Sequence, residues 1–122
     1  AWTLRGSAAE AGKRVYHGFW SALDAATGEI LWQTADPNAG APDMAAVSVA
    51  NGVVFAGSMA GDAHADTMFA LDAASGTILW RFASGGSVAS GPAIVDGVVY
   101  WGSGYGLWGG RGNNRLFAFA LK

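Results

Sequence analysis

The sequence has no cysteine, two histidines and three prolines, and only 13% of its 122 residues are charged. The absence of cysteine excludes a disulfide framework, a thiolate zinc site, CxxC redox chemistry and a cysteine nucleophile. Two histidines among many serines give no spacing that indicates a Ser/His/Asp triad. Catalysis through a cysteine or a recognisable triad is therefore not predicted.

Clustered charge and long apolar runs are also scarce. Nine acidic and seven basic residues leave a net charge of −2, and the bases are scattered apart from Lys13-Arg14 and the pair Arg111 and Arg115. This distribution is a poor electrostatic match for nucleic acid, so we expect no such partner. No apolar run approaches the roughly 18 residues of a membrane-spanning helix. The first residues lack the regions of a signal peptide, so any export signal is expected upstream.

The sequence is rich in glycine and contains an internal repeat. Nineteen glycines and six tryptophans, with many Val, Ile, Phe and Thr residues, fit short strands joined by tight turns. Residues 22–32 return as residues 70–80, 48 positions later, with two substitutions in eleven positions. A third copy begins at residues 116–118 and has Ala120 where the aspartate should recur. We therefore expect a piece of a longer repeat array.

The repeat divides into short strands. Asn51-Gly52 and Asp96-Gly97 are typical of type I′ hairpins and predict a tight turn in the second and third units. The strands expected in these two units are residues 45–50, 53–57, 67–71, 77–82, 87–95, 98–102 and 115–121. In the first unit we expect strands at 2–9 and 14–16 around a turn at 10–13. There, either His17-Gly18 forms a tight hairpin, which we favour, or residues 14–24 form one longer strand.

Four short antiparallel strands per 48-residue period are the unit of a β-propeller blade. The predicted fold is therefore all-β, a β-propeller fragment of about two and a half four-stranded antiparallel blades. Residues 1–34 are assigned to a short or irregular first blade, 35–82 to the second, and 83–122 to a third blade that lacks its outer strand. All three are expected to belong to one propeller domain.

The repeated motif has residues suited to fastening blades together. Asp24 and Asp72 can accept hydrogen bonds from their own turns, and Gly28 and Gly76 permit a backbone conformation that a Cβ disfavours. A large flat tryptophan can then cover the face of a neighbouring blade, where a small alanine leaves room. The residues assigned this structural role are Ala22, Asp24, Gly28, Trp32, Ala70, Asp72, Gly76 and Trp80.

The pattern Ala-x-Asp-x-x-Thr/Ser-Gly-x-x-x-Trp resembles the tryptophan-docking motif of quinoprotein-type propellers, the pyrroloquinoline quinone (PQQ) repeat family. Residues 99–106 and 112–119 resemble the C-terminal part of polyvinyl alcohol dehydrogenase-like quinoproteins. The resemblance implies a fragment of a PQQ-dependent alcohol dehydrogenase, which oxidises a hydroxyl substrate by hydride transfer to the quinone. The family's catalytic and calcium-binding residues come from other blades, so the fragment alone is expected to be inactive.

The same resemblance implies cofactors, partners and a location for the parent protein. The cofactors are PQQ and calcium, and the partners are the remaining blades, a small alcohol or polymer substrate and an electron acceptor such as cytochrome c. The location implied is periplasmic or secreted. The alternative is a non-catalytic PQQ-repeat propeller that binds proteins, as in outer-membrane protein assembly.

Strand alternation predicts where a ligand would bind. The long connection 34–44 and the loops that follow Ser58 and Ser103 belong to the same end of the blades, and function concentrates on loops. On the last loop, Tyr105 and Trp108 can stack on a planar ligand or polymer, and Arg115 can bond a carboxylate. The cofactor-binding candidates are Trp108, Arg111, Asn113 and Asn114. The alternative is that this loop only packs on the next blade.

Other patterns carry weaker indications. Asp62, His64 and Asp66 alternate in one loop, yet one histidine and two acids are too few for a zinc or iron site, and we predict turn-forming residues and no metal. His17 is expected in a turn or at the surface. Residues 102–112 have Gly-x-Gly spacing without the strand-to-helix context of a dinucleotide site.

Overall fold

The computed structural model describes residues 18–120. The strands and turn predicted between residues 2 and 16, His17 and Leu121 lie outside the described residues, so the two alternatives at His17-Gly18 stay predictions. The described strands are β1 Phe19–Leu23, β2 Ile30–Ala35, β3 Ser48–Ala50, β4 Val53–Gly57, β5 Met68–Asp72, β6 Ile78–Phe82, β7 Ala93–Val95, β8 Val98–Ser103 and β9 Arg115–Ala120.

The strands form three antiparallel meander sheets of two, four and three strands, in the orders β1-β2, β3-β4-β5-β6 and β7-β8-β9. Between residues 18 and 120 the chain contains no helix, and so none that has the length and apolar character to cross a bilayer. The prediction of an all-β propeller fragment is confirmed.

Tight turns fix the register inside the sheets. At the β3–β4 turn the φ angles of Asn51 and Gly52 are 49° and 75°, and at the β7–β8 turn Asp96 and Gly97 have 49° and 76°. Two successive positive φ angles define the type I′ turn, whose twist matches that of the flanking strands. Ala50 therefore pairs directly with Val53. Both hairpins predicted from the sequence are confirmed.

The first strands of the second and third sheets, β3 and β7, are shorter than predicted. β7 begins at Ala93 instead of residue 87, because Pro92 has no N–H for a ladder and the backbone N–H of Val88 donates to the carbonyl of Ser58 at 2.9 Å. β3 begins at Ser48 instead of residue 45, because the ladder between β3 and β4 begins at the pair Ser48 and Phe55. The freed residues extend the connections between blades.

The hydrophobic core lies between the blades. One cluster joins the first and second sheets, where the rings of Trp20 and Phe69 are 5.1 Å apart. A second cluster joins the second and third sheets and includes Trp101, which is 1% exposed and meets Phe55 edge to face. Because each sheet buries its faces against its neighbours, the hydrophobic contribution to stability depends on adjacent blades.

The repeated motif connects successive blades. The indole N–H of Trp32 donates to the carbonyl of Ala73 at 2.9 Å, and the hydroxyl of Thr34 donates to the carbonyl of Gly76 at 2.7 Å. Trp80, the equivalent of Trp32, stacks on Phe82 with ring centroids 5.8 Å apart. The structure thus lays the first motif tryptophan on the next motif's turn.

The aspartates of the motif organise their own turns. Oδ1 of Asp24 accepts hydrogen bonds from the N–H groups of Ala26 and Thr27 and from the Thr27 hydroxyl. Oδ1 of Asp72 accepts the equivalent set within its own motif, from the N–H groups of Ala74 and Ser75 and from the Ser75 hydroxyl. The Thr27 N–H chiefly lowers the pKa of Asp24, and the Ser75 hydroxyl chiefly lowers that of Asp72. Both carboxylates therefore act as charged turn acceptors.

Candidate functional site

Three loops from the β2–β3, β4–β5 and β8–β9 connections meet at one end of the blades. The N–H of Met59 donates to the carbonyl of Pro42 at 3.2 Å, and the amide of Asn38 donates to the carbonyl of Asp66 at 2.8 Å. An open groove of about 510 Å³ lies between the loops, with walls formed by residues 38–42, 59–62, 65 and 108–109. We call it the loop groove.

The β8–β9 loop, which borders the loop groove through Trp108 and Gly109, carries three exposed large apolar side chains that we call the rim. Tyr105, Leu107 and Trp108 expose 37%, 61% and 80% of their surfaces. The backbone of Trp108 has a φ of 57°, and Gly109 follows with 84°. A left-handed conformation costs a residue with a Cβ about 1–2 kcal/mol. The loop thus presents a large indole to solvent from a strained backbone, a combination that clusters at functional sites.

Ser87 fastens this loop to its neighbours. It is fully buried, its N–H donates to the carbonyl of Arg111 at 2.9 Å, and its carbonyl accepts from the N–H groups of Gly104 and Tyr105 at 2.9 and 3.0 Å. Its hydroxyl donates to the carbonyl of Ala60 at 2.8 Å and accepts from the N–H of Arg111 at 2.8 Å. One serine therefore holds both ends of the loop that carries Trp108.

A second group of hydroxyls, buried at Thr67 and Ser84 and half-buried at Ser103, lies beside Ser87. Oγ of Ser84 is 2.7 Å from Oγ1 of Thr67 and 2.6 Å from Oγ of Ser103, and it donates to the carbonyl of Gly86 at 2.8 Å. A hydroxyl has one proton, so Ser84 accepts from both neighbouring hydroxyls when it donates to Gly86. We call Thr67, Ser84, Ser87 and Ser103 the hydroxyl seam. It ties the second blade's loops to the third blade's loops.

The four cofactor-binding candidates lie on one loop but do not share one surface. Trp108 borders the loop groove, and Arg111 and Asn114 are exposed. Asn113 turns inward: its amide N–H donates to the carbonyl of Ser84 at 2.8 Å, and its Oδ1 is buried without a hydrogen-bond partner among residues 18–120. The structure therefore makes Asn113 part of the loop's support.

The acidic loop of the second blade is built from local contacts. Oδ1 of Asp62 accepts the N–H of His64 at 2.7 Å. Asp66 forms a 3.9 Å ion pair with Arg81, and both side chains are partly exposed, so the pair contributes little to stability. In the described part of the chain, no three His, Asp or Glu side chains are grouped in a way that could hold a metal ion.

No pattern in the sequence indicates the hydroxyl seam as a whole. Serine and threonine are common in loops, so a single one carries no signal. A repeated position does carry one: Ser58 directly follows β4, and Ser103 is the last residue of β8, so both serines mark the end of the second strand of their blades. Ser84 and Ser87 have no such counterpart among the aligned motif positions, and only their long-range contacts identify them.

Two comparisons with known proteins bear on the chain. Residues 18–120 match the PQQ-repeat family that is described as outer membrane protein assembly factor BamB. That match covers every residue described here. Among curated proteins, none matches the chain.

Proposed function

Because the chain belongs to the PQQ-repeat family described as outer membrane protein assembly factor BamB, we propose that it is part of a propeller that binds another polypeptide without catalysis. The binding surface is the loop groove with its rim, Tyr105, Leu107 and Trp108. The partner is a component of the outer-membrane protein assembly machinery, and the location is the periplasm.

The observation that carries this proposal is the exposure of the rim. Trp108 and Leu107 are 80% and 61% exposed, although burying a large apolar side chain typically stabilises a protein by about 1.5–3 kcal/mol. Tryptophan and tyrosine are also the residues that most often dominate the binding energy of protein interfaces. An exposed aromatic rim beside a groove is suited to receiving an apolar side chain of a partner.

The rigidity of the rim's base supports the same proposal. Ser87 is fully buried and joins the loop at Gly104, Tyr105 and Arg111. Ordering a loop during association costs free energy, and a loop that is already fixed avoids this cost. The hydroxyl seam therefore prepares the rim for binding.

A second candidate is the quinoprotein dehydrogenase, with PQQ and calcium as its cofactors. The exposed indole of Trp108 favours it, because a flat aromatic surface can stack on a planar quinone. Asn113 does not fit this role, since its amide is committed to the carbonyl of Ser84. Trp108 alone does not constitute a quinone site, and we derive no catalytic step from it.

Site-specific photo-cross-linking tests the proposed function. A photoreactive amino acid is placed at position 108 or, as a control, at position 96 in the β7–β8 turn at the other end of the blades. When the protein is expressed in the periplasm of Gram-negative bacteria, we expect position 108 to cross-link to a polypeptide of the outer-membrane assembly machinery. Equal cross-linking from both positions, or none from position 108, would contradict the proposal.

A cofactor assay separates the two candidates. The complete propeller that contains this chain is titrated with PQQ in the presence of calcium, because the catalytic and calcium-binding residues of a quinoprotein are expected on blades outside this chain. The binding heat and dye-linked alcohol oxidation are measured. The scaffold proposal predicts neither saturable heat nor dye reduction. Saturable binding of PQQ together with alcohol oxidation would overturn it in favour of the dehydrogenase.

A further inference from the structure

Two aspartates lie together at the start of β1. Asp36 directly follows β2, and its N–H donates to the carbonyl of Gly18 at 3.0 Å. The N–H of Gly18 in turn donates to the carbonyl of Ala41 at 2.8 Å. A Cβ on Gly18 would collide with the carboxyl of Asp43. The glycine thus leaves space for the Asp43 carboxyl beside the backbone of β1.

Three of the four carboxyl oxygens in this pair are buried and lack a hydrogen-bond partner in the described residues. Asp36 is 4% exposed, and only its Oδ1 is satisfied, by two N–H groups of Asn38 at 2.8 Å each. Its Oδ2 and both oxygens of Asp43 are the unpartnered atoms. Burial, followed by the charge of the nearby Asp36, raises the pKa of Asp43 to about 8.

Such a pair requires a positive partner. An unpaired buried carboxylate costs several kcal/mol, and two adjacent carboxylates also repel each other. One shared proton satisfies Oδ2 of Asp36 and one oxygen of Asp43, which leaves the other oxygen of Asp43 unpaired. A divalent cation between the carboxyls contacts all three oxygens and neutralises both charges.

We propose that Asp36 and Asp43 bind a calcium ion that joins the start of β1 to the β2–β3 loop. The donors are all oxygen, which suits a hard cation, whereas zinc prefers nitrogen and sulfur. Calcium accepts six to eight oxygens in flexible geometry, so backbone carbonyls and water complete its shell. Magnesium keeps several of its waters, which suits a buried carboxyl pair less well.

The first experiment is a calcium titration of the calcium-free 122-residue chain at constant pH, followed by isothermal calorimetry and thermal unfolding. At a calcium concentration of about 100 times Kd, the linkage relation predicts a rise in Tm of roughly 10 °C. Terbium bound in place of calcium provides a second signal. Trp20 and Trp32 line the same cavity as Asp43 and can sensitise the luminescence of the terbium ion. Magnesium at the same concentration is expected to raise Tm less.

Substitutions separate a binding role from a structural one. In the Asp43→Asn variant the new amide can donate to Oδ2 of Asp36, so the calcium-free Tm is expected to equal or exceed that of the wild type, while the response to calcium disappears. Structural damage would lower the calcium-free Tm and does not produce this pair of results. The matched control is Asp62→Asn, an exposed aspartate of the neighbouring loop, which is expected to keep the full calcium response.

The possible outcomes decide the proposal. A calcium-dependent rise in Tm that is lost in Asp43→Asn and kept in Asp62→Asn supports it. A wild-type Tm that ignores calcium but rises when the pH is lowered from 9 to 6 shows that the pair holds only a proton, and overturns it. An equal calcium response in Asp43→Asn also overturns it, because the ion then binds elsewhere. If a variant fails to fold, calorimetry on the wild type still decides whether calcium binds.

Discussion

Ser87 and Arg111 are joined by two hydrogen bonds in opposite directions: the N–H of Ser87 donates to the carbonyl of Arg111 at 2.9 Å, and the N–H of Arg111 donates to Oγ of Ser87 at 2.8 Å. Ser87 lies in the connection between β6 and β7, whereas Arg111 closes the loop that carries Trp108. The position of the exposed rim is therefore set by a buried residue of a different connection.

Replacing Ser87 with alanine tests this relationship. The substitution removes the hydroxyl that bonds the carbonyl of Ala60 and the N–H of Arg111, in a fully buried position. Leaving such groups unsatisfied costs roughly 1–3 kcal/mol. We expect Ser87→Ala to lower the free energy of unfolding by about this amount, as measured by urea denaturation, and to speed chymotrypsin cleavage near Trp108.

Ser90→Ala is the matched control. Ser90 is exposed and its hydroxyl makes one bond of 3.2 Å to the carbonyl of Gly102, so a loss below about 0.5 kcal/mol is expected. Losses of equal size in the two variants would argue against a special role of Ser87. An unchanged cleavage rate in Ser87→Ala would show that the loop is fixed by other contacts.

Local chemistry explains why so much of the fold was predictable. A turn such as Asn51-Gly52 requires two positive φ angles, and this sequence adopts them readily, so it sets the register of β3 and β4 without help from distant residues. The aspartate turn at Asp72 likewise bonds residues two and three positions away. Features that depend on neighbours in sequence can be predicted from sequence.

The candidate site was less predictable because its decisive contacts are distant in sequence. From the sequence, Asn113 is expected to face a ligand, because its amide can bond a carboxylate or a carbonyl. Its amide instead donates to the carbonyl of Ser84, 29 positions earlier in the chain. Within residues 18–120 the indole of Trp108 has no hydrogen bond that would turn it inward, and it is 80% exposed beside the groove. The sequence therefore indicated the loop, but not which of its side chains point outward.

Gly76→Ala is expected to damage the contact between blades, with Gly28→Ala as its matched control. Both glycines have a left-handed backbone, with φ of 73° and 75°, so alanine costs about 1–2 kcal/mol at either position. A Cβ at Gly76 would also lie 2.5 Å from Cε3 of Trp32, whereas a Cβ at Gly28 meets nothing within 4 Å. Forcing this overlap adds roughly 1–3 kcal/mol.

Chemical denaturation of the two variants measures the difference. Gly76→Ala should be less stable than Gly28→Ala by the overlap cost, and its near-UV circular dichroism should change because Trp32 is displaced. If the two variants lose the same stability and the aromatic spectrum does not change, the indole of Trp32 does not press on the turn at Gly76.

Acid should weaken the motif turns. The folded pKa of Asp24 and of Asp72 is below the model-compound value of 3.8, so each ionised carboxylate stabilises the fold above that pH. The contribution is lost as the pH falls through the folded pKa. We expect the free energy of unfolding to decline below about pH 4, and to decline less steeply in Asp72→Asn. The control is Asp62→Asn, because in the described part of the chain the carboxylate of Asp62 accepts only the N–H of His64. Parallel acid profiles in all three proteins would contradict the prediction.

Trp108 is expected to contribute to binding at a cost in stability. Its backbone is left-handed, with a φ of 57°, and glycine adopts this conformation without the Cβ penalty. Trp108→Gly should therefore be more stable than Trp108→Ala by about 1 kcal/mol, while both variants lose the indole and with it the cross-linked partner. Urea denaturation measures the first effect, and competition of each variant with wild-type protein for the cross-linked partner measures the second. Equal stability of the two variants would mean that the backbone is unstrained, and undiminished competition by Trp108→Gly would mean that the partner binds elsewhere. If Trp108→Gly is more stable than Trp108→Ala and both variants lose the partner, then the backbone at Trp108 is strained and the indole is required for recognition.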